Sequence, residues 1–150
     1  MTLSCTYDEL PSKVGESLGT SGYIEITQQR VNDFADCTDD HQWIHVDVER
    51  AKAGPFGGPI AHGFLTLSLA PSLTGSLLQV SGISMGVNYG LNKVRFVSPV
   101  PVGSKLRASA VLKDVAEVSG GYQVVLETTF EVEGGSKPAC IAELVFRYYK

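Results

Sequence analysis

The chain has 150 residues, of which 43% are hydrophobic and 19% charged, and its net charge is -4. These values exclude a disordered chain and predict one folded domain over residues 1–150. The acidic balance and the absence of a Lys/Arg cluster argue against a nucleic-acid partner. Polar residues interrupt the longest apolar stretch, residues 63–78, so we expect no membrane span.

The cysteines indicate the compartment. There are three cysteines, an odd number, and their spacing matches no metal-binding or redox motif: Cys5, Cys37 and Cys140. The N-terminus has no basic segment followed by an apolar one, as a secretory signal requires. We therefore expect free thiols and a cytoplasmic protein.

The first predicted elements lie in residues 23–38. A short strand-like run ends at Ile26, and Thr27 then has the residue type of a helix N-cap. Val31, Phe34 and Ala35 follow at helical spacing, which predicts a helix with Phe34 facing the core.

Residues 39–61 read as mostly irregular. Asp47 is a suitable cap for a short helix that begins near Val48. The glycine- and proline-rich run 53–59 excludes a helix or a central strand. Long loops inside compact domains are uncommon and often functional.

A second helix is predicted from residue 63 to about residue 78. Its residues are apolar nearly all round, which predicts that the whole helix is buried. Pro71 lacks the N–H that a helix interior needs, so it should kink or split the helix near its middle.

The remainder of the chain, from residue 83 onward, reads as strands. Runs rich in β-forming residues occupy residues 94–97, 106–112, 122–132 and 139–149, and glycines mark the turns between them. Four successive strands with short connections predict an antiparallel sheet. One buried helix wrapped by that sheet is the simplest layered arrangement, which makes the fold class α+β.

The titratable residues that suggest chemistry concentrate in the irregular segment. All three histidines, His41, His45 and His62, lie in it or at its exit. His41 and His45 are four residues apart, but the run between them has no Glu and reads as non-helical, so we do not expect a metal site. Ser68 and Cys37 are nucleophiles by type, yet neither lies in a strand–turn–helix elbow.

Besides metal binding and nucleophilic catalysis, the segment could support acid–base catalysis. Asp40 and His45 are separated by a non-helical bend, and their side chains could converge on one water molecule. His exchanges protons near neutral pH. The N–H of Gly63, at the start of the second helix, could polarise a substrate carbonyl.

These residues resemble a known family. The similarity rests on residues 34–35, Asp40, His45 and Asp47, on residues 59–63 with Ala61-His62-Gly63, and on two later runs, residues 88–96 and 99–103. Together they are similar to the MaoC-like dehydratases and R-specific enoyl-CoA hydratases. The resemblance extends from about residue 15 to the C-terminus.

The resemblance implies a fold, a reaction and a partner. The fold is a hot-dog domain, a curved antiparallel sheet around one long central helix. The reaction is the reversible syn hydration of a trans-2-enoyl thioester to an (R)-3-hydroxyacyl thioester, on CoA or acyl-carrier protein and without a cofactor. Asp40 and His45 would be the catalytic pair, Gly63 the oxyanion donor, and the protein a homodimer.

Two departures from the family pattern occur beside the pair. Family members often carry Asn-Pro where this chain has Gln42-Trp43, and a Gly where it has Asp39. Asp accepts a positive φ better than most residues, so we expect the turn at residue 39 to survive.

Other residues are candidates for binding the substrate. They are Trp43 and Phe56 in the acyl pocket, His62, for which a structural bond to the loop backbone is favoured, and Asn88, Tyr89 and Asn92 at the border of the site. Two alternative functions remain open: a hot-dog acyl-CoA thioesterase and a non-catalytic acyl-thioester-binding protein. The fold alone does not separate them.

Overall fold

The computed structural model describes residues 2–150, and its elements follow in chain order. The helices are a 3-10 helix over Tyr7–Lys13 and five α-helices: α1 (Gln28–Thr38), α2 (Trp43–Val46), α3 (Val48–Lys52), α4 (Gly63–Ser68) and α5 (Ala70–Gly75). The strands are β1 (Leu3–Thr6), β2 (Ser17–Thr20), β3 (Ile24–Glu25), β4 (Leu78–Ser81), β5 (Met85–Phe96), β6 (Lys105–Val118), β7 (Gly121–Val132) and β8 (Cys140–Tyr149).

The main sheet is antiparallel, as predicted. Its strand order is β2-β6-β7-β8-β5, and β3 pairs with β6 as well. The β6–β7 hairpin pairs from Leu106↔Val132 to Val118↔Gly121, with one register shift between Leu112 and Asp114. Gly120 has a φ of 81° in its turn, a conformation that glycine adopts without a steric penalty.

The central helical segment packs against the sheet. α4 contacts β8 and α5 contacts β6. Leu65, Leu69 and Leu73 from this segment join Leu126 and Phe130 of β7 in one hydrophobic cluster. The architecture is therefore the α+β hot-dog arrangement that the sequence predicted.

The helix itself differs from the prediction of a single helix to about residue 78. It divides into α4 and α5 at Leu69, and Leu78 already belongs to β4. Pro71 is at the start of α5, where its missing N–H costs no internal helical bond. The division predicted for Pro71 is confirmed, and it comes two residues before the proline.

The prediction that this helix is buried all round was wrong. Leu65, Leu69 and Leu73 are buried, but Phe64 on the opposite face is 68% exposed. The segment faces the sheet on one side only, so it is amphipathic in the single chain.

The predicted caps are confirmed. The Thr27 side chain accepts a hydrogen bond from the Arg30 N–H at 3.1 Å at the start of α1. The Asp47 carboxylate accepts one from the Arg50 N–H at 3.1 Å at the start of α3. Phe34 is half-buried against the core, as expected.

One pairing had no sequence prediction. β1 and β4 form a separate parallel pair in which Leu3 is opposite Leu78. Within residues 2–150, no helix has the length and apolar character needed to cross a membrane.

Candidate active site

The first element of the site is the turn that follows α1. Asp39 closes α1 in the left-handed conformation, with φ 60° and ψ 21°. The family that the sequence resembles often has a glycine at this position. The prediction that aspartate would keep the turn is confirmed. The turn directs the chain away from the helix axis, and Asp40 follows it with an exposed side chain.

His45 lies in α2, a single helical turn over Trp43–Val46, so the prediction of a non-helical run was wrong here. The helix begins only at Trp43, so His41 is not part of it. The Gln28 side-chain amide of α1 donates a hydrogen bond to the His45 carbonyl at 2.8 Å, which fixes α2 against α1. Propensity could not reveal this turn because the bond that holds it comes from 17 residues away.

The tautomer of His45 follows from its partner. Nδ1 lies 2.6 Å from the carbonyl oxygen of Ile60, which only accepts hydrogen bonds, so Nδ1 carries the proton. In the neutral ring, Nε2 then has a free lone pair. Burial lowers the pKa of His45 from its ordinary value of 6.5, and the neighbouring His62 lowers it further. The Ile60 carbonyl and Asp40 oppose this shift. His45 is therefore poised as a base at neutral pH.

His62 links the other parts of the site. It is the N-cap residue of α4, it is 2% exposed, and its Nε2 donates a hydrogen bond to the Asp40 carbonyl at 2.9 Å. The sequence favours a structural hydrogen bond from His62 to the loop backbone, and this is that bond. Its ring also stacks on that of His45, with centroids 3.8 Å apart and an interplanar angle of 24°.

Asp40, His45 and His62 form a cluster in which one polar side-chain atom from each lies within 4.8 Å of the others. The donor types would suit a metal ion, but the ring arrangement does not. Imidazole lone pairs lie in the ring plane, and nearly parallel planes 3.8 Å apart do not aim at one ion at about 2.0–2.1 Å. The cluster suits proton transfer better than metal binding.

A cavity of about 360 Å³ opens beside this cluster. His45 and Gly63 both line it, together with Phe56 from the glycine-proline loop. Gly63 is the first residue of α4, where the backbone N–H has no carbonyl within the helix to bond. A polar base and a free N–H therefore border the same apolar space.

Several other residues that line this cavity were missed from the sequence, among them Thr66 and Phe96. Thr66 lies one turn after Gly63 and is buried, and helical spacing from Gly63 could have indicated it. Phe96, at the end of β5, had no such signal because it reaches the cavity only through the register of the sheet.

The structure does not bring every predicted site residue to this cavity. Trp43 packs under the Arg50 guanidinium, 4.3 Å from the ring centroid, and against Gly54. Asn88 and Tyr89 line a separate groove of about 380 Å³ between β5 and the central helices. Asn92 lies beside Glu143, where its side chain helps lower the pKa of that carboxyl after the larger effect of Lys113.

The remaining polar candidates have local partners. His41 is exposed and lies 3.0 Å from an Asp36 carboxylate oxygen. The Ser68 hydroxyl donates to the Phe64 carbonyl at 2.6 Å, and the Cys37 thiol contacts the carbonyl of Phe34. Neither nucleophile contacts a histidine among the described residues, so the arrangement does not favour nucleophilic catalysis.

A sheet around a central helical segment, with Asp40 and His45 beside the N-terminus of α4, defines a hot-dog protein. A family model described as MaoC like domain matches residues 9–134. The chain is 55% identical over 141 residues to 3-hydroxyacyl-thioester dehydratase Z from Mycobacterium tuberculosis, with 93% of both proteins covered. The chain therefore belongs to the MaoC-like family.

Solved structures agree with this assignment. The (R)-hydratase from A. caviae involved in PHA biosynthesis is 27% identical, with a TM-score of 0.73 over 89% of this chain and 94% of that one. A monoamine oxidase regulatory protein from Archaeoglobus is 26% identical, with a TM-score of 0.79 over 100% and 98%. The predicted family and hot-dog fold are confirmed. The relatives also confirm the predicted class of enzyme, a hydro-lyase of the hydratase and dehydratase type.

Proposed function

We propose that the protein catalyses the reversible syn hydration of trans-2-enoyl thioesters to (R)-3-hydroxyacyl thioesters, with Asp40 and His45 as its acid–base pair. One observation carries the proposal: the Asp40 carboxylate and a His45 ring nitrogen lie within 4.8 Å of each other, beside a cavity that Gly63 also lines. A single water molecule can contact two groups at that separation.

The proton transfers follow from the protonation of His45. Its Nδ1 donates to Ile60, so Nε2 takes a proton from water as the water oxygen bonds to the β-carbon. The Asp40 carboxylate receives that proton from His45 over the short distance between them and delivers it to the α-carbon, so the net change is the addition of one water. The reverse sequence gives dehydration.

The carbonyl of the thioester needs a donor because negative charge develops on its oxygen during addition. The Gly63 N–H is suited to this role, since it begins α4 and borders the cavity. The acyl chain would lie against the apolar part of the wall, which includes Phe56, Ile60 and Val100. The thiol carrier is CoA or an acyl-carrier protein.

We further propose that two copies of the chain form a homodimer through β5. This strand lies at one edge of the sheet, and its backbone is free to pair with another chain. Several large apolar side chains on or beside it are exposed: Met85, Val87, Tyr89, Leu91 and Phe96. We assign Asn88 and Tyr89 to this contact, because the groove they line lies between β5 and the central helices.

The dimer has a direct test by light scattering. Replacing Leu91 with Lys should shift the mass from two chains to one, because a buried charge lacks a partner at an apolar contact. The control is Val111→Lys, an exposed apolar residue on β6, which should leave the mass unchanged. A wild-type monomer would contradict the proposal.

We also assign the protein to the cytoplasm. Cys5, Cys37 and Cys140 all carry free thiols, which suits a reducing compartment.

Incubation with a short trans-2-enoyl-CoA tests the function. We expect the enoyl-thioester absorbance to fall while the thioester stays intact, and chiral analysis should give the R product. Release of free CoA would indicate a thioesterase instead. Tight binding without turnover at any chain length would indicate a binding protein.

A further inference from the structure

A buried histidine outside the proposed pair contacts both of its members. His62 is 2% exposed, its Nε2–H donates to the Asp40 carbonyl at 2.9 Å, and its ring covers that of His45 at 3.8 Å. It also precedes Gly63 directly, as the N-cap residue of α4. One side chain thus contacts the three parts of the site: the Asp40 loop, the His45 ring and the start of the helix.

We propose that His62 is a positioning residue, which holds Asp40 and His45 in their reacting geometry through its Nε2–H bond and its ring face. This inference rests on the proposed acid–base function of Asp40 and His45, and it adds a residue through which they act.

The bond to Asp40 matters because of the backbone it restrains. Asp39 is in the left-handed conformation just before Asp40, and the Asp40 side chain is exposed, with a weak 3.4 Å contact to the Gln42 N–H. The carbonyl bond from His62 therefore fixes the Asp40 backbone where the side chain has little restraint of its own. A shift of about 1 Å in a catalytic group can reduce the rate about 100-fold.

The stacked ring matters for His45. The Ile60 carbonyl fixes one edge of the His45 ring, and His62 covers one face of it, so the ring has little room to rotate. Phe34 of α1 packs on His62 in turn, with centroids 4.9 Å apart. Among the described residues, the buried Nδ1 of His62 has no hydrogen-bond partner.

The charged or titratable groups that face His62 are His45 of α2 and Asp40 of the preceding loop. His62 is one cause of the lowered His45 pKa, after burial. Removing the imidazole should therefore move the titration of His45 toward higher pH. A residue that serves only to fill space would not produce this shift.

The test compares His62→Gln with His62→Leu. Glutamine keeps an amide donor, whereas leucine keeps similar bulk without a donor. We expect kcat to fall about 100-fold in the leucine variant and no more than about tenfold in the glutamine variant, with KM within about twofold of wild type. The control is His41→Gln, which replaces an exposed histidine and should leave kcat, KM and the pH profile unchanged.

A second measurement does not depend on turnover. NMR titration of ¹⁵N-labelled histidine follows the His45 ring directly, and its midpoint should lie higher in His62→Gln than in wild type. If the wild type is inactive on enoyl thioesters, the proposed function fails, while this titration still tests the contact between the two rings. Equal kcat in the two variants, or an unmoved His45 midpoint with kcat lost only in proportion to unfolded protein, would overturn the positioning role.

Discussion

The ring of Phe96 lies directly against the backbone of Gly63. A Cβ built at Gly63 would stand 3.2 Å from each of three Phe96 ring atoms, closer than ordinary van der Waals contact. The small residue at the start of α4 is therefore required by packing as well as by access to its N–H. The end of β5 and the start of the central helix meet at the proposed oxyanion position.

Gly63→Ala should lower kcat/KM for an enoyl thioester about 10- to 100-fold, because Phe96 must move into the cavity or the helix start must shift. The free energy of unfolding should change by no more than about 1 kcal/mol, since alanine favours a helix. Steady-state kinetics and urea unfolding measure the two effects. Gly58→Ala is the matched control, because no atom lies within 4 Å of a Cβ there. Equal activity of the two variants would argue against a crowded site at Gly63.

The pH dependence of kcat/KM should report His45. The base must be neutral to take a proton, and burial lowers its pKa below the ordinary 6.5. The acid limb of the profile should therefore have its midpoint below pH 6.5. A midpoint above 6.5 would contradict the assignment of His45 as the base.

The same lowered pKa affects stability. The unfolded chain binds a proton at His45 more readily than the folded one, so stability rises with pH in this range. The contribution is fully present above pH 6.5 and is lost as the pH falls toward the lower pKa of the folded state. Urea unfolding of wild type and His45→Gln at pH 7.5 and 5.5 measures it: the wild type should lose more stability on acidification than the variant.

The turn at Asp39 gives a test of backbone strain. Asp39→Val places a β-branched residue at a φ of 60° and should reduce the free energy of unfolding by about 1–2 kcal/mol. It should also lower kcat, since the turn directs Asp40. Asp39→Gly relieves the strain but adds conformational freedom to the unfolded chain. Its free energy of unfolding should therefore stay within about 1 kcal/mol of the wild-type value. Thermal unfolding and kinetics on both variants check this, and equal stability of the valine and glycine variants would contradict the role of the turn.

Much of the fold could be predicted from local pattern. Thr27 and Asp47 cap helices because capping depends on residues three apart, and Pro71 divides the central helix because its missing N–H is a local property. The parallel pairing of β1 with β4 could not be predicted, since Leu3 and Leu78 are distant in sequence. The exposure of Phe64 could not be predicted from the sequence either. Both faces of this helix are apolar, so residue type alone does not show which face packs on the sheet.

The site divides in the same way. Asp40, His45 and Gly63 are close in sequence, and the structure brings them to one place. Tyr89 and Asn92 depend on the register of β5, and the cavity that His45 lines does not include them. The stacking of His62 on His45 also needed three-dimensional information, because Gln28 and Ile60 fix the position of His45 from outside its own segment.

The most direct test of the account is the hydration of a short trans-2-enoyl-CoA by Asp40→Asn, His45→Gln and the double variant, measured beside the wild type. We predict that each single change lowers kcat about 100- to 10,000-fold with the R product unchanged, since acid–base groups contribute about that much. The double variant should be little worse than the poorer single variant, because the two residues act as a unit. Either single variant retaining activity within about threefold of wild type, with its fold intact, would contradict an Asp40–His45 pair.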